Sequence, residues 1–144
     1  MAQAAGRAGF PRAVRLMSPV DFARVFAVRR SAASGALVLY ACPAGSATQP
    51  ARIGLSVSRR IGNAVVRNRW KRVLRETFRG IRRDLPAAND FILVVRSGAA
   101  PSGTAGQRRA GESILALAAR VVGRPGYGQP PSPAADQAAP RRRR

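Results

Sequence analysis

The stretch RRIGNAVVRNRWKRVLRETFRGIRRDL (59–85) decides how the rest of the chain is read. Gly62 and Asn63 make a turn, and Asn63 is placed to cap a helix beginning just after it. From Val66 onward the apolar residues are Val66, Trp70, Val73, Leu74, Phe78 and Ile81. At about 100° per residue they share one face of a helix. Arg67, Lys71, Arg75, Arg79 and Arg82 fall on the opposite face, with Asn68, Arg72 and Arg83 beside them. Leu85-Pro86 stops the helix, since proline disfavours helical backbone in the residue before it. Between Arg59 and Arg83 stand ten basic residues and one acid, Glu76. A merely solvated face mixes its signs; this one points to a polyanion. Arginines four residues apart stand about 6 Å apart along a helix, close to the phosphate spacing of a nucleic acid strand. Arg67, Asn68 and Arg69 add the positive helix start to the same field.

Working outward, ARIGLSVS (51–58) alternates Ile53, Leu55 and Val57 with Gly54, Ser56 and Ser58, the pattern of a half-buried strand. ALVLYAC (36–42) is a second strand-like run, separated from the first by a Gly/Ser/Thr/Pro loop. An antiparallel hairpin is the simplest pairing of the two. SPVDFARVFAVRR (18–30) carries a helix start, with Ser18 as N-cap, Pro19 in the first turn and Asp21 at the positive end of the dipole. Phe22, Val25 and Phe26 share a face of that helix, which should end before Gly35. Downstream, DFILVV (90–95) reads as a buried strand, 98–106 as a linker, and RRAGESILALAARVV (108–122) as a final helix. Its stripe is Ile114, Leu115, Leu117, Ala118 and Val121. The order helix, strand, strand, helix, strand, helix describes one small α/β domain over 18–122. Residues 1–17 form a basic arm, a composition shared with transit peptides. Residues 123–144, rich in Pro and ending in Arg141 to Arg144, have too little apolar content to pack. They read as a disordered extension with weak nonspecific affinity for RNA.

Composition narrows the chemistry. The 144 residues carry 26 Lys and Arg against 6 Asp and Glu, a net charge of +20, and no histidine. A Ser-His-Asp triad, a Cys-His pair and every histidine metal ligand are thereby excluded. The single cysteine, Cys42, permits no internal disulfide and no thiolate cluster. Asp21, Glu76, Asp84, Asp90, Glu112 and Asp136 are scattered, so a two-carboxylate centre needs distant segments brought together. Catalysis by the protein's own groups is disfavoured, and phosphates are the natural relief for such self-repulsion. No stretch reads as a membrane span, and the default compartment is the cytosol.

The run GLSVSRRIGNAVVRNRWKRVLRETFR (54–79) closely resembles the signature of the protein subunit of bacterial ribonuclease P. The hallmark Arg-Asn-Arg triplet stands at Arg67-Asn68-Arg69, the Lys-Arg pair at Lys71-Arg72, and the Arg-Glu-x-Phe-Arg ending at Arg75 through Arg79. FPRAVRLMSPVDFARVF (10–26) and DFILVVRSGA (90–99) extend the resemblance over roughly residues 10 to 122. The resemblance implies an α/β sandwich with a mixed four-stranded sheet and a left-handed crossover around the Arg-Asn-Arg helix, against the general right-handed rule. It implies a protein without chemistry of its own, cofactor to an RNA subunit that uses magnesium ions to cut the 5′ leader from precursor tRNA. The implied partners are that catalytic RNA and precursor tRNA, with no membrane and no obligate protein partner. No metal is assigned to the protein itself; magnesium enters through the RNA.

Carried over residue by residue, the RNA-subunit surface is Arg67, Asn68, Arg69, Lys71, Arg72 and Arg75. The leader cleft is Phe22, Phe26, Tyr40, Ser56 and Arg60, which suits the physics of single-strand binding: aromatic faces for stacking beside positive charge. Plain core packing is the competing reading for Phe22 and Phe26. Three other functions compete. A ribosomal or other structural RNA-binding protein fits the composition equally well and lacks only the long motif and the aromatic cleft. A DNA-binding regulator needs two helices joined by a short turn, where here a strand precedes the basic helix. An enzyme acting alone lacks the residues to build its centre.

Overall fold

A strand with no polar face must be covered on both sides, and DFILVV occupies such a place in the computed structural model, which describes residues 14–128. Four strands, β1 (Ser31–Ser34), β2 (Leu37–Pro43), β3 (Arg52–Val57) and β4 (Asn89–Val95), form one sheet in the order β1-β2-β4-β3. β4 runs antiparallel to β2 and parallel to β3, so the sheet is mixed. Helix α1 (Pro19–Val28) covers one face, and α2 (Ala64–Ile81) and α3 (Gly103–Val122) cover the other. The larger core lies on the second side, where Leu39, Phe91 and Leu93 meet Trp70, Leu74, Phe78, Ile114 and Leu117. The smaller core joins Leu16, Val25, Cys42 and Ile92 beneath α1.

Local signals act where the sequence places them. The Ser18 side chain accepts from the Val20 N–H at 3.1 Å with Pro19 next to it, and Asn63 Oδ1 accepts from the Val66 N–H at 3.0 Å. The apolar face of α2 lies inward as its spacing requires, and Thr77 joins it by donating its hydroxyl to the Val73 carbonyl at 2.8 Å.

Four expectations are corrected. The first helix ends at Val28, and the residues after it form a fourth strand, β1, which the sequence reading lacks. Its sequence, SAAS, contains no β-branched or aromatic residue to mark it. A two-residue turn at Gly35-Ala36 links it to β2, with Gly35 at φ +56°. β2 and β3 do not form a hairpin: β4 inserts between them, because it is the strand buried on both faces and belongs in the interior of the sheet. The expected linker 98–106 ends early, since α3 begins at Gly103. Residues outside 18–122 also pack. Val14 and Leu16 are buried, and the Leu16 N–H donates to the Ile53 carbonyl at 2.9 Å along the outer edge of β3. At the other end the Tyr127 hydroxyl reaches Asn89 Oδ1 at 2.6 Å, and an Arg124 guanidinium nitrogen reaches the Ser31 carbonyl at 2.6 Å. The remainder of the arm and tail lies outside the described residues.

Asp90, at the start of β4, is fully buried. Arg52 of β3 grips it in a fork, Nε to Oδ1 at 2.7 Å and Nη2 to Oδ2 at 2.8 Å. Arg24 of α1 donates to the same Oδ2 from above, and to Cys42 Sγ at 3.2 Å and the Pro43 carbonyl at 3.3 Å. Burial works against the carboxylate's charge, and the hydrogen bonds from Arg52 and Arg24 outweigh it, so Asp90 is held below the ordinary carboxylate range. Such a carboxylate contributes stability that is present above the unfolded aspartate pKa of about 3.9 and lost as pH falls through the lower folded value. Asp90→Asn is expected to cost about 3 kcal/mol at neutral pH, the low end for a broken buried pair because both arginines keep some contact with water. Urea midpoints followed by Trp70 emission should fall more steeply below about pH 4 in the wild type than in the variant. Parallel curves would show that Asp90 is not the group responsible.

Candidate RNA interface

α2 turns a dense cationic surface outward. Asn68, Arg69, Arg72, Arg75 and Arg79 are exposed, while Arg67 and Lys71 are half-buried at its margin. Arg67 Nε donates to the Gly62 carbonyl at 3.2 Å, which fixes the first arginine of the triplet against the turn before the helix. Trp70 anchors the opposite side: it is buried and its indole N–H donates to the Gly98 carbonyl at 3.1 Å. Arg72, Arg75 and Arg79, with Glu76 between them, line a shallow depression. All six residues expected to face the RNA subunit therefore stand on one rigid helix, and the buried tryptophan fixes which way that helix is turned.

The expected leader residues lie on the other side of the sheet. β-sheet register stacks three rows of side chains beneath α1: Cys42–Asp90–Arg52, Tyr40–Ile92–Gly54 and Val38–Val94–Ser56. α1 crosses over the middle row. Phe22 lies against Gly54, so closely that a Cβ built on that glycine would stand 2.6 Å from the ring. Phe26 meets Tyr40 edge-on, with ring centroids 4.8 Å apart, and Phe22 lies 6.3 Å from Phe26.

Phe22, Phe26 and Tyr40 are each half-buried. Their rings pack on the smaller core, so the core reading accounts for one side of each ring while part of its surface stays accessible. Ser56 stands in the next row, half-buried beside Val94. Arg60 is exposed in the short 3-10 turn Arg59–Ile61 that leads from β3 into α2. The structure thus brings the three aromatics together, sets Ser56 one row away, and leaves Arg60 at the passage between the two surfaces.

Gly54, Val38, Val94 and Arg24 also shape this face, and sequence reasoning does not single them out. Gly54 and Ser56 have a signal in the alternation of GLSVS, where every second residue is small. Val38 and Val94 are hidden inside runs apolar on both faces. Among the described residues, no three carboxylates or thiols come together as a metal site, and no helix is long and apolar enough to cross a membrane.

Comparison with known proteins agrees with this geometry. The family model for ribonuclease P matches residues 10–118. The ribonuclease P protein component of Listeria monocytogenes is 40% identical over 86 residues, spanning 60% of this chain and 71% of that protein. That of Desulfovibrio desulfuricans is 34% identical over 112 residues, 78% of this chain and 85% of the other. Among solved structures, the RNase P protein of Staphylococcus aureus superposes with a TM-score of 0.58 at 31% identity, covering 74% of this chain and 89% of that one. The Thermotoga maritima protein gives 0.58 at 25% identity, covering 74% and 96%. With the family model matching residues 10–118 and solved members superposing over about three quarters of the chain, the chain belongs to the ribonuclease P protein family.

Proposed function

We propose that this protein is the RNA-binding subunit of a bacterial ribonuclease P, docking on the catalytic RNA through α2 and holding the 5′ leader of precursor tRNA between α1 and the sheet. The observation that carries the reading is the placement of two different surfaces on opposite faces of one sheet. One is a helix face of arginines spaced for a folded RNA's phosphates. The other is an aromatic group beside an open row of small and apolar side chains, suited to unpaired bases. The chain passes from one to the other at the C-terminal end of β3, where Arg60 follows Ser56 and precedes the Arg-Asn-Arg triplet.

In this reading the protein binds and orients, and cleavage belongs to the RNA. Magnesium, held by that RNA, would supply the activated water. Asp90 is engaged by two arginines, with Asp21 on the far side of Arg24, and among the described residues no three carboxylates or thiols come together. Stacking of leader bases on Tyr40 and the two phenylalanines fixes the strand's path, while Arg60 neutralises its backbone.

Two substitutions test the two surfaces. Arg67→Ala or Arg69→Ala should weaken binding to the RNA subunit and reduce the salt dependence by about one unit of slope for each phosphate that is no longer neutralised. An unchanged slope removes those residues from the interface. Tyr40→Ala should weaken binding of leader-bearing substrate by about 1–3 kcal/mol and spare mature tRNA. Equal losses for both RNAs would assign Tyr40 to packing alone.

A further inference from the structure

The position of α1 is not fixed by its apolar face alone. Val25 is the one fully buried residue of the helix; Phe22 and Phe26 are only half-buried. Phe22 against Gly54 and Phe26 against Tyr40 seat one flank of this helix of 10 residues. The other flank carries Arg24. Its guanidinium reaches the row Cys42–Asp90–Arg52, on the side of the helix away from Val38, Val94 and Ser56. A planar fork that meets a carboxylate oxygen, a sulfur and a carbonyl at once has little freedom of position. The carboxylate it meets is fully buried on β4, and that strand holds it in place; its remaining bonds go to Arg52 of β3.

We propose that Arg24 is a positioning residue for leader recognition: its bonds to Asp90, Cys42 and Pro43 hold α1 from behind, so that Phe22 and Phe26 stand at a fixed height over the open row Val38–Val94–Ser56. The inference rests on the reading of this groove as the leader site. It gives the buried aspartate a role in recognition through a residue that does not touch the RNA. Arg52 bonds the same carboxylate and makes no hydrogen bond to α1, meeting that helix only through the charge of Asp21, and supplies an internal control.

The test uses the full chain assembled with a bacterial ribonuclease P RNA, and compares affinity for leader-bearing and mature tRNA. Arg24→Gln should lose about tenfold in the preference for the leader, with the salt slope and the cleavage rate at saturating substrate unchanged. The loss should shrink in a Tyr40→Ala background, since Phe26, which the arginine positions, packs against Tyr40. Arg52→Gln should lower the thermal midpoint, read by Trp70 emission, and keep the preference.

Arg24→Lys keeps the charge without the fork and retains folding if the neutral variant does not; a loss of about threefold is expected. Full preference in folded Arg24→Gln or Arg24→Lys would overturn the proposal. So would an equal loss in Arg52→Gln, which would mean general loosening. A loss additive with Tyr40→Ala and accompanied by a shallower salt slope would make Arg24 a direct phosphate ligand instead. If the wild-type assembly itself shows no preference for the leader, the leader reading fails, and the role of Arg24 falls with it.

Discussion

The burial of β4 on both faces is the constraint on which the architecture depends. Phe91, Leu93 and Val95 face α2 and α3, and Ile92 and Val94 face α1. Neither side can be left to water without exposing several large side chains, each worth about 1.5–3 kcal/mol when buried. Two layers of helix are therefore required, and they separate the chain's two kinds of surface. The amphipathic, arginine-rich helix covers the side with the larger core, where Trp70, Leu74 and Phe78 give it a deep anchor. The short α1 covers the other side incompletely, which leaves a row of the sheet beside its aromatic residues.

A protein of net charge +20 has few carboxylates to place, and the most buried among the described residues serves the architecture. Asp90 offsets one of the two positive charges that Arg24 and Arg52 bring together, and the bonds around it tie α1 to β3 and to the end of β2. The cationic face of α2 is left almost uncompensated, with Glu76 as its one acid. Charge is thus offset where the fold needs precision and left unbalanced where a polyanion would bind.

The helices are legible in the sequence because their signals are local. Ser18 and Asn63 cap, Leu85-Pro86 stands after α2, and the 3.6-residue periodicity of Val66 through Ile81 survives intact. The sheet is less so. Pairing is a non-local choice, and nothing in 36–42 or 51–58 records that a strand beyond the next helix will come between them. β1 is built from small residues held by the Gly35 turn and by their partners in β2, so propensity does not find it. On the α1 face, Phe22, Phe26 and Tyr40 are visible as sparse aromatics in a chain with few. Arg24 and Asp90 are not, because an ion pair 66 residues apart leaves no trace in spacing.

Reconstitution tests the central claim most directly: the protein, a bacterial ribonuclease P RNA and precursor tRNA at low magnesium, with RNA-only and protein-only controls. The expected result is 5′-leader cleavage stimulated only when protein and RNA are present together. Cleavage by the protein alone would contradict it. So would tight binding to the RNA without stimulation, which would make the chain a structural RNA-binding protein that carries the same helix.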